Sequence, residues 1–274
     1  MKTIDSKDNP GYKAALRVRK GKIEDRIFVE GARLCEEAAA SGTRIESAFL
    51  SRSFFENNAS SEAVSTYRRA GNTAVLPDRL FSSLSDTRNP QGIALVCVRP
   101  SHALPDLESS ISSRRTGLPV VLFLFEVNNP GNLGSILRTA EAAGAAGVVT
   151  SAGSVDAYAP AVLRGSMGAS FRLPVIEKVP EQEILEWSKR IGLRLAVTDS
   201  STGKSYTDED LSAPCLLAFG SEAHGLPKLI KDSAEMTLRI PLEAQVESLN
   251  LSVSAGVLLF EARRQMQILR NPDH

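Results

Sequence analysis

The stretch that decides the fold covers residues 118–141 and reads LPVVLFLFEVNNPGNLGSILRTAE. It opens with a nearly continuous apolar run, a pattern typical of a strand buried on both faces of a parallel sheet. The segment Asn129-Pro130-Gly131 can continue neither a strand nor a helix, and helix signals begin around Asn132 and stop at Gly144. The stretch therefore predicts a strand, a polar turn and a helix.

The predicted helix carries an arginine, Arg138, on the side opposite its apolar stripe. Ile136, Ala140 and Ala143 are spaced as one helical face, and Arg138 projects roughly the other way. One interpretation is a solvated arginine on an amphipathic helix. The other is a ligand-binding arginine, because ligands of α/β proteins bind outside the carboxyl ends of strands, close to this position.

Composition and charge favour two modest domains and indicate no overall attraction to nucleic acid. The 274 residues are 42% hydrophobic, with 32 basic and 32 acidic side chains. Residues 1–100 hold 16 basic and 12 acidic side chains, which leaves 32 − 16 = 16 and 32 − 12 = 20 for the remainder. Six cations crowd into one short segment and predict either an RNA-binding surface or a solvated helical arm. They are Lys13, Arg17, Arg19, Lys20, Lys22 and Arg26.

Cysteine usage and the absence of long apolar segments indicate the compartment. Cys35, Cys97 and Cys215 are far apart and form no CxxC pair, so neither a zinc site nor a disulfide framework is indicated. The first residues are polar, and no stretch is long enough to span a bilayer. We therefore expect a soluble cytoplasmic protein without a metal or a membrane partner.

Strand and helix patterns alternate along both halves of the chain. Residues 1–100 predict a small α/β domain, residues 101–117 are rich in Ser, Pro and Gly and predict a linker, and residues 118–274 predict a second domain. In this second domain the strands recur between helices, and a long helix is predicted from Ser248 to about Leu269. The fold class is α/β, with a mostly parallel sheet covered on both sides.

A second polar turn follows the apolar run that ends at Phe219. Gly220 and Gly225 would let a ligand approach the backbone, and the N–H groups of the following helix suit a carboxylate or phosphate. No structural role is evident for Glu222, which makes its carboxylate a candidate functional group. His224 is a candidate base, but no partner for it can be assigned from sequence. An ordinary glycine-rich connection is the competing interpretation.

The third motif joins Ile240-Pro241 to a run of small polar residues. Ser248 is a plausible N-cap of the last helix, while Asn250, Ser252 and Ser254 are weak helix formers whose abundance suggests hydrogen bonding to something. The phosphate-loop pattern that Gly203-Lys204-Ser205 would complete fails, because position 198 is not glycine. No G-x-G-x-x-G follows a strand, which argues against hydride transfer.

These three motifs, in this order, resemble those of the SpoU/TrmH family of RNA 2′-O-ribose methyltransferases, part of the SPOUT superfamily. The likeness covers about residues 118–270, and a weaker one, at Phe28–Gly31 and Asn89–Ile93, is to a ribosomal-protein-like RNA-binding domain. The resemblance implies a deep trefoil knot, S-adenosyl-L-methionine as cofactor and a homodimer with its active site at the subunit boundary. It also implies structured RNA as substrate, with ribosomal RNA favoured over transfer RNA.

The resemblance further implies which residues form the site. Arg138 would act on the 2′-hydroxyl, as a base or, as we prefer, by clamping a phosphate. Asn132 and Glu222 would orient Arg138 or the ribose, and Ser248 and Asn250 would complete the catalytic group. The cofactor would contact Phe219, Gly220, Gly225, Ile240, Pro241, Ser248, Leu249 and Asn250.

Two other functions stay open at the level of sequence. One is RNA binding without catalysis, as in a ribosome-assembly factor, and the other is an α/β enzyme acting on a phosphorylated small molecule.

Overall fold

A computed structural model describes residues 1–113, 117–199, 201–243 and 246–270. The chain divides into two compact units, of which the first comprises Met1–Pro100 and Tyr158–Phe171 and the second the remainder. In the first hundred residues the elements are β1 (Lys2–Thr3), α1 (Pro10–Arg19), β2 (Arg26–Glu30), α2 (Ala32–Ala40), β3 (Ile45–Ser51), α3 (Arg52–Asn58), α4 (Glu62–Ala70), β4 (Asn72–Leu76), α5 (Asp78–Leu84) and β5 (Ile93–Val98).

The first unit is built on a five-stranded mixed sheet in the order β1-β4-β3-β5-β2. Strands β1, β4 and β3 are parallel, whereas β5 is antiparallel to both β3 and β2. The segment predicted as a basic arm belongs to this unit. Helix α1 buries Tyr12, Ala15 and Val18 in its core, since these residues are spaced along one helical face.

The rest of the chain alternates between strand and helix. Its elements are α6 (Leu104–Ser113), β6 (Val120–Leu124), α7 (Pro130–Ala143), β7 (Gly147–Thr150), α8 (Pro160–Ser166), β8 (Val175–Ile176), α9 (Glu181–Arg190), β9 (Arg194–Thr198), β10 (Lys204–Ser205), β11 (Cys215–Phe219), α10 (Lys228–Asp232), β12 (Met236–Arg239) and α11 (Leu251–Arg270). Short 3-10 turns cover Ala169–Phe171 and Tyr206–Asp208.

The second unit contains a seven-stranded, entirely parallel sheet in the order β10-β12-β9-β11-β6-β7-β8. The predicted α/β class is therefore confirmed. Strands β6 and β11 lie side by side at the centre and are buried along their whole length, as expected for strands covered on both faces. All parallel strands end at the same edge, so the loops that follow β6, β9, β11 and β12 are brought together there.

Several boundaries differ from the sequence-based expectation. Helix α7 begins at Pro130 and not near Asn132, because proline is favoured at the first helical position and the Asn129 side chain caps the helix. The expected stop at Gly144 is confirmed, with φ at 85°. Within the segment predicted as a linker, α6 places Leu104 and Leu107 in the core of the second unit.

Helix α8 is short, with only seven residues. Helix α8 ends at Ser166 because Met167 adopts a left-handed backbone, with φ at 51°. Although sequence assigned this segment to the second domain, it falls in the first unit, where Arg164 pairs with Asp86 at 3.2 Å. Among the described residues, no helix is long and apolar enough to cross a membrane.

Candidate active site

Asn132 occupies the first turn of α7 and is 93% buried, which is unusual for an asparagine. The helix start is fixed by Asn129, whose Oδ1 accepts from the backbone N–H groups of Gly131 at 2.8 Å and Asn132 at 3.2 Å. This cap leaves the side-chain amide of Asn132 free for other partners. It also sets the direction in which that side chain leaves the helix.

A chain of hydrogen bonds runs through Asn132 and connects all three sequence motifs. Its Nδ2 donates to Glu222 Oε1 at 2.8 Å, and its Oδ1 accepts from Asn250 Nδ2 at 2.9 Å. Because an ionised carboxylate only accepts, the NH₂ group of Asn132 must face Glu222 and its oxygen must face Asn250. Asn250 Oδ1 accepts in turn from the backbone N–H and hydroxyl of Ser252 at 2.9 and 2.7 Å.

The hydrogen bond from the Ser252 N–H to Asn250 Oδ1 shows that the N-cap of the long helix differs from the one expected. Helix α11 begins at Leu251, so Asn250 and not Ser248 holds the N-cap position. The Asn250 carbonyl accepts from the Ser254 N–H at 3.0 Å, which is the first bond of the helix. The physical reason is that asparagine satisfies a helix-terminal N–H as well as serine does, and Asn250 is held in place by Asn132.

A cleft of about 580 Å³ opens where β9, β11 and β12 end, and we name it the cofactor cavity. It contains seven of the eight residues that the resemblance assigned to the cofactor. Pro241 is the exception and lies outside the lining. The predicted members are Phe219, Gly220, Gly225, Ile240, Ser248, Leu249 and Asn250.

Sequence reasoning missed the part of this cavity that follows β9, namely Thr198, Asp199 and Ser201. The signal was available, because β9 is a parallel strand and its carboxyl end lies at the ligand-binding edge. The backbone N–H of Ser201 donates to the Asp199 carboxylate at 2.9 Å, and that of Thr202 does so at 3.0 Å. These contacts, the first above all, lower the pKa of Asp199 to about 2 despite some desolvation.

The turn after β11 can fold only around glycine. A Cβ on Gly220 would lie 2.2 Å from the carbonyl carbon of Gly225, far inside contact distance. Ser221 and Gly225 exchange two backbone hydrogen bonds, and Gly225 itself adopts a left-handed φ of 68°. The tight loop carries Glu222 to the point where it meets Asn132.

A second cleft of about 520 Å³ lies beside the first, and we name it the acceptor cavity. The two cavities share Ser221, Glu222 and Leu251 in their linings, so Glu222 stands at the boundary between them. The remaining lining of the acceptor cavity follows β6 and β11. It consists of Glu126, Val127, Asn128, Asn129, Pro130, Asn132, Ala223 and His224.

Glu126 is the functional candidate in this cavity that sequence reasoning overlooked. It is partly buried and has a φ of 49°, a left-handed conformation that costs a non-glycine residue of order 1–3 kcal/mol. Its side-chain carboxylate accepts no hydrogen bond from any described residue. The sequence gives no signal for this glutamate, because a left-handed backbone conformation is predicted from sequence mainly where the residue is glycine.

Arg138, Ser248 and His224 stand apart from the hydrogen-bond chain. Arg138 is exposed and makes no ion pair or hydrogen bond with any described residue. It follows Asn132 by six residues on α7, a rise of about 9 Å and a turn of about 240°. Ser248 is exposed in the cofactor cavity. His224 is exposed and lines the acceptor cavity, and its backbone N–H donates to Ser221 Oγ at 3.1 Å.

The six N-terminal cations are not equivalent. Arg19 donates to the Leu84 carbonyl at 2.9 Å, and Arg26 pairs with Glu46 and with Asp25, so both support the first unit. Lys13 forms an exposed ion pair with Asp8 at 2.8 Å. The other three are exposed and lack a side-chain partner among the described residues; they are Arg17, Lys20 and Lys22.

Two adjoining cavities lie at the carboxyl edge of a parallel α/β sheet, which is where ligands of such proteins bind. Comparison with known proteins gives the class of this protein. Residues 119–260 match the SpoU rRNA Methylase family, and residues 12–95 match the MRM3-like substrate binding domain. The chain therefore belongs to the SpoU rRNA methylase family.

Individual relatives agree over nearly the whole chain. An uncharacterized tRNA/rRNA methyltransferase of Synechocystis is 31% identical over 98% of this chain and 96% of its own. The 23S rRNA (guanosine(2553)-2′-O)-methyltransferase RlmP of Bacillus subtilis is 29% identical over 96% and 100%. The AdoMet-bound rRNA methyltransferase of Sinorhizobium meliloti superposes with a TM-score of 0.84 at 25% identity, covering 97% of this chain and 98% of the other.

The protein is thus an S-adenosylmethionine-dependent RNA 2′-O-methyltransferase, and the non-catalytic and small-molecule interpretations are set aside. The residues present suit the cofactor. A cavity of this volume holds a small ligand, and apolar Leu238, Ile240 and Leu249 can contact an adenine ring. Lys231 and Asp199 provide one charge of each sign for the zwitterionic methionine end.

Proposed function

We propose that this enzyme methylates a ribose 2′-hydroxyl of ribosomal RNA, with 23S RNA as the preferred target. The observation that carries the proposal is the hydrogen-bond chain from Glu222 through Asn132 to Asn250, which stands between the cofactor and acceptor cavities. The RlmP relative, named for 23S RNA, aligns over its entire length. The matched MRM3-like substrate-binding domain gives the chain a separate domain with which to hold that RNA.

The bound cofactor supplies an activated methyl group, and the protein supplies the alignment. In-line transfer requires the ribose oxygen to be held at one place, and such orientation contributes several kcal/mol of barrier reduction. Glu222 Oε1 is occupied by Asn132, whereas no described residue donates to its second oxygen, which can accept from a ribose hydroxyl. Asn132 is a positioning residue, because both ends of its amide are used within the protein.

Arg138 completes the site as a phosphate clamp. A guanidinium is a poor proton acceptor but binds phosphate oxygens through two parallel N–H bonds. Held in this way, it would fix the ribose next to the phosphate and stabilise negative charge that develops on the hydroxyl oxygen. Ser248 in the cofactor cavity would contact the bound S-adenosylmethionine, and Asn250 would hold Asn132 in place.

We further propose a homodimer in which Arg138 serves the partner's site. On its own helix Arg138 is exposed and points away from Asn132, which favours action on a second chain. Helix α11 packs on α7 and exposes Val253 and Phe260 by 50% and 49%. These residues are seven apart and share one face, as expected for a helix that buries its apolar stripe against a symmetric copy.

We also propose a trefoil knot in the second unit and a cytoplasmic location. The loops after β9, β11 and β12 crowd around one cavity, an arrangement that a knotted chain would create. All three cysteines are free and buried, which suits a reducing cytoplasm.

The test is to incubate the protein with labelled cofactor and total RNA from cells that lack its gene. Size-fractionated RNA is then digested, and 2′-O-methylated nucleosides are identified and mapped. We expect label in 23S RNA at a single position, and none with Arg138→Ala. Label confined to transfer RNA would overturn the ribosomal target, and label on a base would overturn ribose methylation.

A further inference from the structure

We propose that Glu126 reads the base of the nucleotide that is methylated and selects guanine. This inference rests on the proposed function, since it assigns the acceptor cavity to that nucleotide. Glu126 lies just beyond the end of β6 and lines the acceptor cavity together with Asn132 and Glu222. Its carboxylate has no partner within the described part of the chain.

The backbone at Glu126 is held from a neighbouring loop and cannot relax. Its N–H donates to Ser151 Oγ at 2.9 Å, and the N–H of Val127 donates to Ser154 Oγ at 3.2 Å. The Val127 carbonyl accepts from Val155 at 2.9 Å. A glycine would adopt the left-handed φ of 49° without strain, whereas Glu126 carries its side chain at a cost in backbone energy.

The same loop leaves room for the carboxylate. A Cβ on Gly153 would lie 3.4 Å from Cγ of Glu126 and 3.8 Å from its Oε1, which are ordinary contact distances, so this loop borders the Glu126 side chain without crowding it. An unpaired carboxylate in a cavity is suited to a ligand with N–H donors.

Guanine alone among the four bases matches an acceptor with two oxygens. Its Watson–Crick edge presents N1–H and N2–H side by side, and a carboxylate can accept both in parallel. Adenine and cytosine pair one amino group with a ring nitrogen that repels a carboxylate, and uracil places its N3–H between two carbonyl oxygens. Glu222 is less suited to this role because Asn132 already occupies one of its oxygens.

The first experiment identifies the nucleoside formed when wild-type enzyme methylates total RNA from cells lacking the gene. We expect 2′-O-methylguanosine as the product. Methylation of adenosine, cytidine or uridine would overturn the role of Glu126 while leaving ribose methylation intact. Absence of any 2′-O-methylated nucleoside would instead contradict the proposed function, so the two failures are distinguishable.

The second experiment uses a transcript of the mapped region with inosine in place of the acceptor guanosine, which removes only the N2 amino group. We expect wild-type kcat/KM to fall about tenfold or more on inosine, the loss of one bond to a charged acceptor. Glu126→Gly should fold at least as stably as wild type and transfer equally well to both transcripts. Glu183→Gln, at an exposed site on α9, should retain the wild-type preference.

Equal rates of the wild type on guanosine and inosine would overturn the proposal. So would a Glu126→Gly enzyme that keeps the tenfold preference, because the discrimination would then lie elsewhere in the cavity.

Discussion

The amide nitrogen of Asn132 lies 2.8 Å from Oε1 of Glu222, although 90 residues separate the two in the chain. One residue belongs to the first turn of α7 and the other to the loop after β11, and both loops leave the same edge of the sheet. The bond therefore joins the two loops between which we propose that methyl transfer occurs. Its energetic role is open to direct measurement.

Replacing Asn132 with alanine should remove the centre of the hydrogen-bond chain. Glu222 and Asn250 would each lose a partner, and truncation of a bond to a charged group costs about 1.5–3 kcal/mol. We expect kcat to fall by roughly 10- to 100-fold and cofactor affinity to change only a few-fold, because Asn132 does not line the cofactor cavity. Steady-state kinetics and calorimetry measure the two effects.

The control for this variant is Ser135→Ala on the exposed face of the same helix, which should behave as wild type. Loss of cofactor binding in proportion to kcat would instead mean that Asn132 supports the cofactor loops.

Arg138→Ala should abolish turnover and leave cofactor affinity unchanged, and Arg138→Lys should recover only part, since lysine cannot bind phosphate through a planar fork. Mixing Arg138→Ala and Glu222→Ala subunits shows whether Arg138 acts in the active site of its own chain or in that of the partner subunit. If Arg138 serves the partner's site, random dimers regain about a quarter of wild-type activity. If it acts within its own chain, the mixture stays inactive.

Lys189→Ala, at an exposed cation on α9, is the matched control and should leave activity unchanged. Wild-type turnover by Arg138→Ala would remove Arg138 from the mechanism altogether.

Combined replacement of Arg17, Lys20 and Lys22 by alanine should weaken RNA binding without lowering kcat at saturating RNA. These three cations lack partners, so phosphate contacts are their available role. We expect the slope of log Kd against the logarithm of the salt concentration to decrease by about 0.7–0.9 for each phosphate contact removed. Filter binding at several salt concentrations measures this slope.

Arg19→Ala is the contrasting variant. It should lower the unfolding temperature, because the Leu84 carbonyl loses its hydrogen bond, and should change the salt slope less than the triple variant. A triple variant with an unchanged slope would show that RNA is held by a different surface.

Asp199→Asn should destabilise the protein at neutral pH by about 1 kcal/mol, because a neutral amide accepts the Ser201 and Thr202 bonds less strongly. The pKa of Asp199 is depressed from 3.8 to about 2 in the fold. Its stabilisation is therefore fully present above about pH 4 and is lost as the pH falls toward 2. Urea unfolding at neutral pH and near pH 3 measures the difference, which should shrink in acid.

Asp232→Asn removes an exposed pair with Lys228 and should change stability little at either pH. If the difference in unfolding free energy between Asp199→Asn and wild type grew in acid, it would contradict the lowered pKa of Asp199.

The features that could be predicted from the sequence are those fixed by residues close together in the chain. The continuous apolar run at residues 120–124 predicted a strand buried on both faces, and the parallel sheet confirms it. The left-handed stop at Gly144 was equally predictable, because only local backbone geometry decides it. The start of α7 was wrong by two residues, since proline and glycine obscured a helix that the Asn129 cap initiates.

The candidate site was predictable as a set of motifs but not as a geometry. Three polar loops could be recognised because each interrupts an apolar strand with glycine, asparagine or serine. No local rule connects Asn132 to Glu222 and Asn250, or identifies Asn250 as the cap of α11 in place of Ser248.

The sequence by itself determined the alternation of strand and helix and the polar character of the loops, because periodicity and turn chemistry act over a few residues. Only the tertiary structure decided that loops 90 to 118 residues apart share one hydrogen-bond chain, that Arg138 stands outside it, and that Glu126 lines the acceptor cavity. The reason is physical: the order of parallel strands sets which loops become neighbours, and that order depends on packing across the whole sheet.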